Sequence, residues 1–310
     1  MCKYSIIVPA YNEEQSLQLF YDAVIPVFEG LGESFEVIFV NDGSRDATKE
    51  IINRLAASDK RIKGCHFSRN FGQQAALLCA LRKAQGEAVI AMDADLQDPP
   101  SVALEMIAKW KEGFDVVHGV RRERKNETFF KKFTAKMFYK ITKKITGIQL
   151  VQNSGDFKLY DRKVVDAIVA LSEKERVLRV QAAWVGFSQT CVEFDRPGRV
   201  AGETHYTMKK MINLAKAGIM PNTEYTLTFP IKLGIALGVL SLACFITFIV
   251  LACLKIPFGG LTAWLFPTVS CLAAIILVCQ GVANMHTAMI FREVQNRPIY
   301  IVAEEVNFDK

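Results

Sequence analysis

As far as about Gly119, short apolar runs alternate with stretches of helical period, the pattern of a parallel sheet whose strands are joined by crossover helices. The strand-like runs are Tyr4 to Val8, Val37 to Val40, Ile62 to Phe67, Ala88 to Met92 and Val116 to His118. Between the first two, Leu17, Phe20, Val24 and Phe28 recur at steps of three or four, which predicts an amphipathic helix packed on the sheet. In open sheets of this kind ligands collect at the carboxyl ends of the strands. A polar cluster follows four of those ends: Pro9-Ala10-Tyr11-Asn12-Glu13, Asn41-Asp42-Gly43-Ser44, Ser68-Arg69-Asn70-Phe71-Gly72 and Asp93-Ala94-Asp95-Leu96-Gln97-Asp98.

Later the pattern changes. Leu233 to Leu254 and Leu261 to Phe291 contain no Asp, Glu, Lys or Arg. Each reaches the roughly 20 residues that cross a bilayer core, and both are apolar on every face, so a transmembrane hairpin is expected over 230–292. Between sheet and hairpin, Phe133, Met137, Ile141 and Ile145 form a stripe of step four surrounded by lysines. That segment, about 129–148, reads either as a helix lying on anionic lipid or as a core-facing helix with a solvated lysine face. The divisions expected are a cytosolic domain over 1–205, a juxtamembrane interfacial region over 206–229, the hairpin, and a cytosolic tail over 293–310. Lys209, Lys210, Lys216 and Lys232 precede or enter the first run and Arg292 and Arg297 follow the second, whereas the connection carries only Lys255. The positive-inside bias therefore places both termini on the cytoplasmic face of the cell (inner) membrane.

Composition sharpens this picture. With 310 residues, 51% hydrophobic and 23% charged, the chain is neither disordered nor a small disulfide scaffold, and its mean hydropathy of +0.17 reflects the two charge-free runs. The net charge of +6 is local: residues 1–120 carry 12 basic and 17 acidic side chains, residues 121–144 carry 10 and 2. Beside two membrane runs, such a window points to anionic membrane lipids as partner and not to nucleic acid. The eight cysteines include no Cys-x-x-Cys pair, and the four histidines show no zinc spacing. No P-loop and no dinucleotide-binding glycine turn occurs. Asp93, Asp95 and Gln97 put three oxygen donors on one turn, the donor set of a hard divalent cation, Mg2+ or Mn2+, that shares its remaining positions with phosphates. Two aspartates one residue apart are also common in solvated turns.

Taken in order, Ser5 to Glu14, Asn41-Asp42-Gly43-Ser44, Arg69-Asn70-Phe71-Gly72 and Asp93 to Pro100 resemble the inverting glycosyltransferases of family 2 with a GT-A fold. Asp156-Phe157, Trp184-Val185-Gly186-Phe187 and Arg199-Val200-Ala201-Gly202-Glu203-Thr204 narrow the resemblance to the polyprenyl-phosphate glycosyltransferases, the relatives of dolichyl-phosphate mannose synthase and bactoprenol glucosyltransferase. It extends over nearly the whole chain, to Asn296-Arg297-Pro298-Ile299-Tyr300. The resemblance implies an α/β fold with a Rossmann-like, mostly parallel sheet and flanking helices, followed by two transmembrane helices. It implies that Pro9, Tyr11, Glu13, Val40, Asp42, Asp93, Ala94, Asp95, Arg121, Arg199 and His205 hold the nucleotide sugar, that Asp93, Asp95 and Gln97 hold the metal, and that Asp95 and Asp156 are the catalytic pair. The family usually has lysine where this chain has His205, which leaves the charge there open near neutral pH. Asp156 matches a position proposed as general base, yet a phosphate monoester with a second pKa near 6 is already largely dianionic at about pH 7, which favours an orienting role.

The reaction so implied moves a hexose, glucose in the leading reading, from a UDP-sugar donor to polyprenyl (undecaprenyl) phosphate for cell-envelope glycan modification. Partners implied are the lipid acceptor, a flippase and a downstream glycosyltransferase, with room for a homo-oligomer. N-acetylglucosamine or an aminosugar fits the same residues. So does a non-catalytic membrane module that only binds nucleotide sugar, against which stand the intact Asp93, Asp95 and Asp156. A processive polysaccharide synthase would carry Gln-x-x-Arg-Trp, absent around Trp110, Trp184 and Trp264.

Overall fold

The structure is a computed structural model that describes residues 2–122, 137, 143, 151, 154–174, 176–195, 246, 253–254 and 261–308. Four parallel strands come first: β1 (Tyr4–Ala10), β2 (Phe35–Asn41), β3 (Ile62–Phe67) and β4 (Ala88–Ala91). They are joined by α1 (Leu17–Glu29), α2 (Thr48–Ser58) and α3 (Gln73–Lys83). Then follow α4 (Pro100–Lys111), β5 (Val116–Arg121), β6 (Ser154–Asp161), α5 (Arg162–Ala170), α6 (Leu178–Trp184), β7 (Gln189–Phe194), α7 (Leu261–Gln295) and β8 (Val302–Val306). The eight strands of the described residues form one sheet in the order β7-β5-β6-β4-β1-β2-β3-β8.

Both faces of that sheet are covered, which is why its central strands read as continuous apolar runs. Alternate residues divide between two cores. Ile6, Val8, Val37, Phe39 and Ile90 pack with Leu17, Phe20, Val24 and Phe28 of α1 and Met106 and Ile107 of α4. Ile7, Ile38, Val40 and Val89 pack on the opposite face with Leu77 and Leu81 of α3 and Val164 and Ile168 of α5. Each such side chain contributes about 1.5–3 kcal/mol when fully buried. The stripe expected along α1 is this buried face.

β5 does not extend the parallel run. β6 lies between β4 and β5, antiparallel to both, and β7 pairs with β5 in parallel. The result is a GT-A-like mixed α/β sheet with flanking helices, and the order matters for the site. The β4–β6 register pairs Ala91 with Lys158, so two residues further on Asp156 lies opposite Asp93.

Two compact units make up the chain, one of Met1–Gly218 with Pro298–Lys310, the other of Ile219–Arg297. The second charge-free run coincides with α7, a single helix of 35 residues and so about 52 Å long. Most side chains in its first half lie outside the described residues, and among the described residues no helix is long and apolar enough to cross a membrane. The first run, apart from Ile246, Cys253 and Leu254, and the basic segment 129–148, apart from Met137 and Lys143, also lie outside them. Beyond α7 the chain does not trail off as a tail: β8 pairs antiparallel with β3. Tyr300 stacks on Phe67 at 5.0 Å, and Asn307 Nδ2 donates to the carbonyls of Ala56 (2.6 Å) and Ile62 (2.8 Å).

Candidate active site

Because β1 to β4 run parallel, their polar ends emerge along one rim. Local hydrogen bonds tie those ends together. Asn12, held at φ 56° as asparagine tolerates, accepts from Arg45 N through Oδ1 (3.0 Å), while its own N–H donates to Ser44 Oγ (3.0 Å). Glu13 N donates to Thr48 Oγ1 (2.8 Å). Asp42 is buried, and its two oxygens accept from the backbone N–H groups of Phe71 (2.6 Å) and Gly72 (2.9 Å). Burial pushes the Asp42 carboxyl up from its ordinary pKa, against the pull of those two amides and of Arg69. Asp42 thus fixes the β3–α3 loop beside the β2 end. Pro9 and Glu13 are partly buried at this rim, and the ring of Tyr11 is exposed, free to face a ligand. Val40 and Ala94 are buried, Val40 with its side chain in the core.

The β4 end carries the densest charge. Leu96 stands at φ 57°, a left-handed conformation that costs a non-glycine residue about 1–2 kcal/mol, and it turns the chain so that Gln97 N donates to Asp95 Oδ1 (3.1 Å). Asp93 accepts from Gln73 Nε2 (3.1 Å), and its own N–H donates to Asp98 Oδ2 (3.2 Å). Burial, then the repulsion of Asp98, Asp156 and Asp95, drives the Asp93 carboxyl well above the usual range, with Arg121 opposing. A cation would relieve that crowding. The Oε1 of Gln97 is buried with no hydrogen-bond partner among the described residues. Two carboxylates and an amide oxygen suit a hard divalent ion whose shell a ligand's phosphates complete. Among the described residues no group of three or more His, Cys, Asp or Glu side chains is disposed to hold a metal by itself.

From the other side, β5 and β6 bring Arg121 and Asp156 to the same rim. A Cβ at Gly155 would lie 2.9 Å from Arg121 Nη2, so glycine there lets the guanidinium cross β6. Asp156 Oδ2 accepts from Gln74 Nε2 (3.1 Å), and Gln74 Oε1 accepts from Leu178 N (2.8 Å). Arg179 Nη2 stands 3.6 Å from Asp156 Oδ1. Beneath Asp156 on the same face lies Lys158, buried, its pKa lowered to about 8 by desolvation, which the Asp156 charge partly offsets. His118, its cross-strand neighbour, is lowered to about 4 by burial and by Lys158. Gln189 Nε2 donates to Ala182 O (3.2 Å), so its Oε1 accepts from His118 Nε2 (2.8 Å). That assignment leaves Nδ1 of a neutral ring facing Ser154 Oγ (3.4 Å).

Of the residues singled out in the sequence, the structure gathers Asp93, Asp95, Gln97, Arg121 and Asp156 on one side of the rim and Pro9, Tyr11, Glu13 and Asp42 on the other. Arg199 and His205 lie outside the described residues. Gln73, Gln74, Lys158 and Arg179 were not anticipated. The only signal for the glutamines was their place directly after Gly72, and Arg179 had none.

Comparison with known proteins bears on this rim. The family described as Glycosyl transferase family 2 matches residues 5–169. An uncharacterised glycosyltransferase of Bacillus subtilis (strain 168) is 42% identical over 99% of this chain and 95% of its own. An SfII prophage-derived bactoprenol glucosyl transferase of Shigella flexneri is 37% identical, with 97% of each chain covered. Among solved structures, mannosyl-3-phosphoglycerate synthase from Rubrobacter xylanophilus is similar at 16% identity over 71% of this chain and 72% of its own, with a TM-score of 0.49.

Proposed function

The chain belongs to glycosyl transferase family 2 and is a hexosyltransferase, and from that premise we propose that it transfers glucose from UDP-glucose to the phosphate of a membrane polyprenol, with inversion at the anomeric carbon. The observation that carries this reading is the convergence of the Asp93-Asp95-Gln97 turn with Arg121 and Asp156 on the rim where the Asp42 loops meet. Relatives named bactoprenol glucosyl transferase, matched along nearly their whole length, supply the acceptor and the sugar.

In this reading Tyr11 packs the donor's base and Glu13 accepts from base or ribose, with Pro9 shaping the rim between them. Asp93, Asp95 and Gln97 hold Mg2+ or Mn2+, which when bound neutralises charge on the diphosphate. Arg121 donates to a phosphate through its planar fork. An acceptor phosphate oxygen then attacks the anomeric carbon from the face opposite the diphosphate. The bond from that carbon to the β-phosphate oxygen breaks, and the electron pair leaves with UDP. The nucleophile arrives already deprotonated, because the second pKa of a phosphate monoester is near 6, so no side chain has to remove a proton.

A lipid acceptor requires the rim to meet a membrane surface. Strands on either side of Ile219–Arg297, β7 and β8, belong to one sheet, so any crossings made between them are even in number. The two charge-free runs would make two, with the site on the cytoplasmic face. Release of UDP from UDP-glucose by the full chain, dependent on added undecaprenyl phosphate and accompanied by a lipid-linked hexose, tests the reaction. UDP release that ignores the lipid, or transfer to unphosphorylated polyprenol, would overturn it.

A further inference from the structure

Arg179 has a guanidinium that its surroundings use only in part. It is the second residue of α6, after Leu178, whose N–H is held by Gln74, the residue that also donates to Asp156. So α3, β6 and α6 are pinned together at this point. The Arg179 Nη2 to Asp156 Oδ1 distance of 3.6 Å is an ion pair but too long for a hydrogen bond. Its Nε is buried with no hydrogen-bond partner among the described residues, and so is Asp156 Oδ1. Yet the side chain as a whole is 30% exposed, so part of it is open to solvent beside Asp156.

Charge points the same way. Asp156 is flanked by two cations, Lys158 beneath it and Arg179 above, so the trio is net positive next to a carboxylate cluster that faces the donor side. Arg121 comes from β5, passes Gly155 and acts on Asp93, whereas Arg179 comes from a helix and faces Asp156. Two guanidinia from different elements, one beside each carboxylate, define two places for phosphate. An anion at Arg179 would take the buried Nε and an Nη together, the bidentate geometry that arginine offers phosphate.

We propose that Arg179 binds the phosphate of the acceptor and that Asp156 is the positioning residue that aims it, the acceptor being the phosphomonoester of the reading above. Asp156 then acts through Arg179 and not on a proton.

The test is equilibrium binding to the full chain in detergent, with farnesyl monophosphate as acceptor probe and UDP as donor probe. Arg179→Gln is expected to weaken farnesyl monophosphate about 10- to 100-fold while UDP affinity stays within about twofold, and Arg179→Lys, keeping charge but losing the fork, should fall between. Asp156→Asn should weaken farnesyl monophosphate in the wild-type background and add little to Arg179→Gln, because the two act as one unit. In turnover, the acceptor KM should rise more than kcat falls. Unchanged farnesyl monophosphate affinity in Arg179→Gln, or an equal loss for UDP, overturns the proposal, as does a wild type that does not bind the probe. Should Arg179→Gln fail to fold, Arg179→Lys decides on the same criterion. A wild type that binds farnesyl monophosphate but transfers no glucose to it would overturn the proposed reaction while the binding series still decides on Arg179.

Discussion

The carboxylate cluster at the β4 end holds more negative charge than it can support alone, since Asp93 is driven upward by burial and then by Asp98, Asp156 and Asp95. Asp95→Asn removes an anionic oxygen from the proposed cation site, and losing one such stabiliser costs on the order of 100- to 1,000-fold in rate. Turnover of the variant, and of wild type with excess EDTA, should fall together; full activity in EDTA would rule out the cation. A second pair of residues governs pH dependence. His118 has a pKa of about 4 against 6.5 unfolded, so as pH falls from 6.5 to 4 the unfolded chain gains a proton that the folded one refuses, and stability is lost. Lys158, at about 8 against 10.5, also binds fewer protons when folded, so stability rises as pH climbs from 8 to 10.5. Each shift corresponds to about 3 kcal/mol over its window. Taken alone, these two groups make the thermal transition of the full chain rise with pH on both limbs, while the raised Asp93 carboxyl opposes them at the acid end. Lys158→Met should erase the alkaline limb and, because Lys158 also helps to depress His118, shorten the acid one; an alkaline limb that persists in the variant would remove Lys158 as its source.

Among the elements, a loop glycine and a strand glycine make opposite predictions. Gly43 has φ +65°, and a Cβ there would lie 2.4 Å from the Arg69 carbonyl carbon and 2.6 Å from Asn70 N. Neither can move without parting the β2–α2 and β3–α3 loops that Asp42 joins. Gly43→Ala should destabilise the chain by about 1–3 kcal/mol and weaken UDP binding with it, read as a lower thermal midpoint and a raised dissociation constant. Gly155 meets only the far end of the Arg121 side chain. Gly155→Ala should leave the thermal midpoint nearly unchanged, yet lower turnover by displacing the guanidinium proposed to hold a phosphate. A large loss of stability in Gly155→Ala would show that the tight contact is structural.

At the scale of the whole molecule, the C-terminal residues decide the most. β8 covers the outer edge of β3, and its Glu304 and Glu305 pair with Lys49 and Lys83, contacts that contribute little individually at these exposures. The larger contribution comes from Tyr300 on Phe67 and from Asn307, whose amide meets two carbonyls of the α2–β3 corner. Asn307→Ala should cost about 1–2 kcal/mol by leaving both acceptors unmet. A chain ending at Arg297 should lose amide-exchange protection along β3 while β1 stays protected; equal protection would mean that β8 is dispensable. The same return of the chain bears on topology. A C-terminus folded into the sheet that carries the site must lie on the site's side of any membrane; with that side cytoplasmic, as proposed, a membrane-impermeant label should not reach it in intact cells.

Local periodicity determined the early strands, the buried face of α1 and the polar rim, because each is written within a few consecutive residues. Asp93, Asp95 and Gln97 were legible for the same reason, and the charge-free runs needed only counting. What joined them was decided by pairing between distant residues. β6 reads Ser-Gly-Asp-Phe-Lys-Leu-Tyr-Asp, with charges at 156, 158 and 161 that disguise a strand from the middle of a sheet. Its antiparallel insertion between β4 and β5 sets Asp156 opposite Asp93 and buries Lys158 against His118. β8, Val-Ala-Glu-Glu-Val, carries two acids that distant lysines, Lys49 and Lys83, pair with. Arg179 lies in a seven-residue helix with no motif to mark it, and it acquires meaning from Gln74 and Asp156, which approach it from two other elements. Periodicity reports which face of a segment is buried, but not which segment lies beside it, and in this protein the site is made of neighbours.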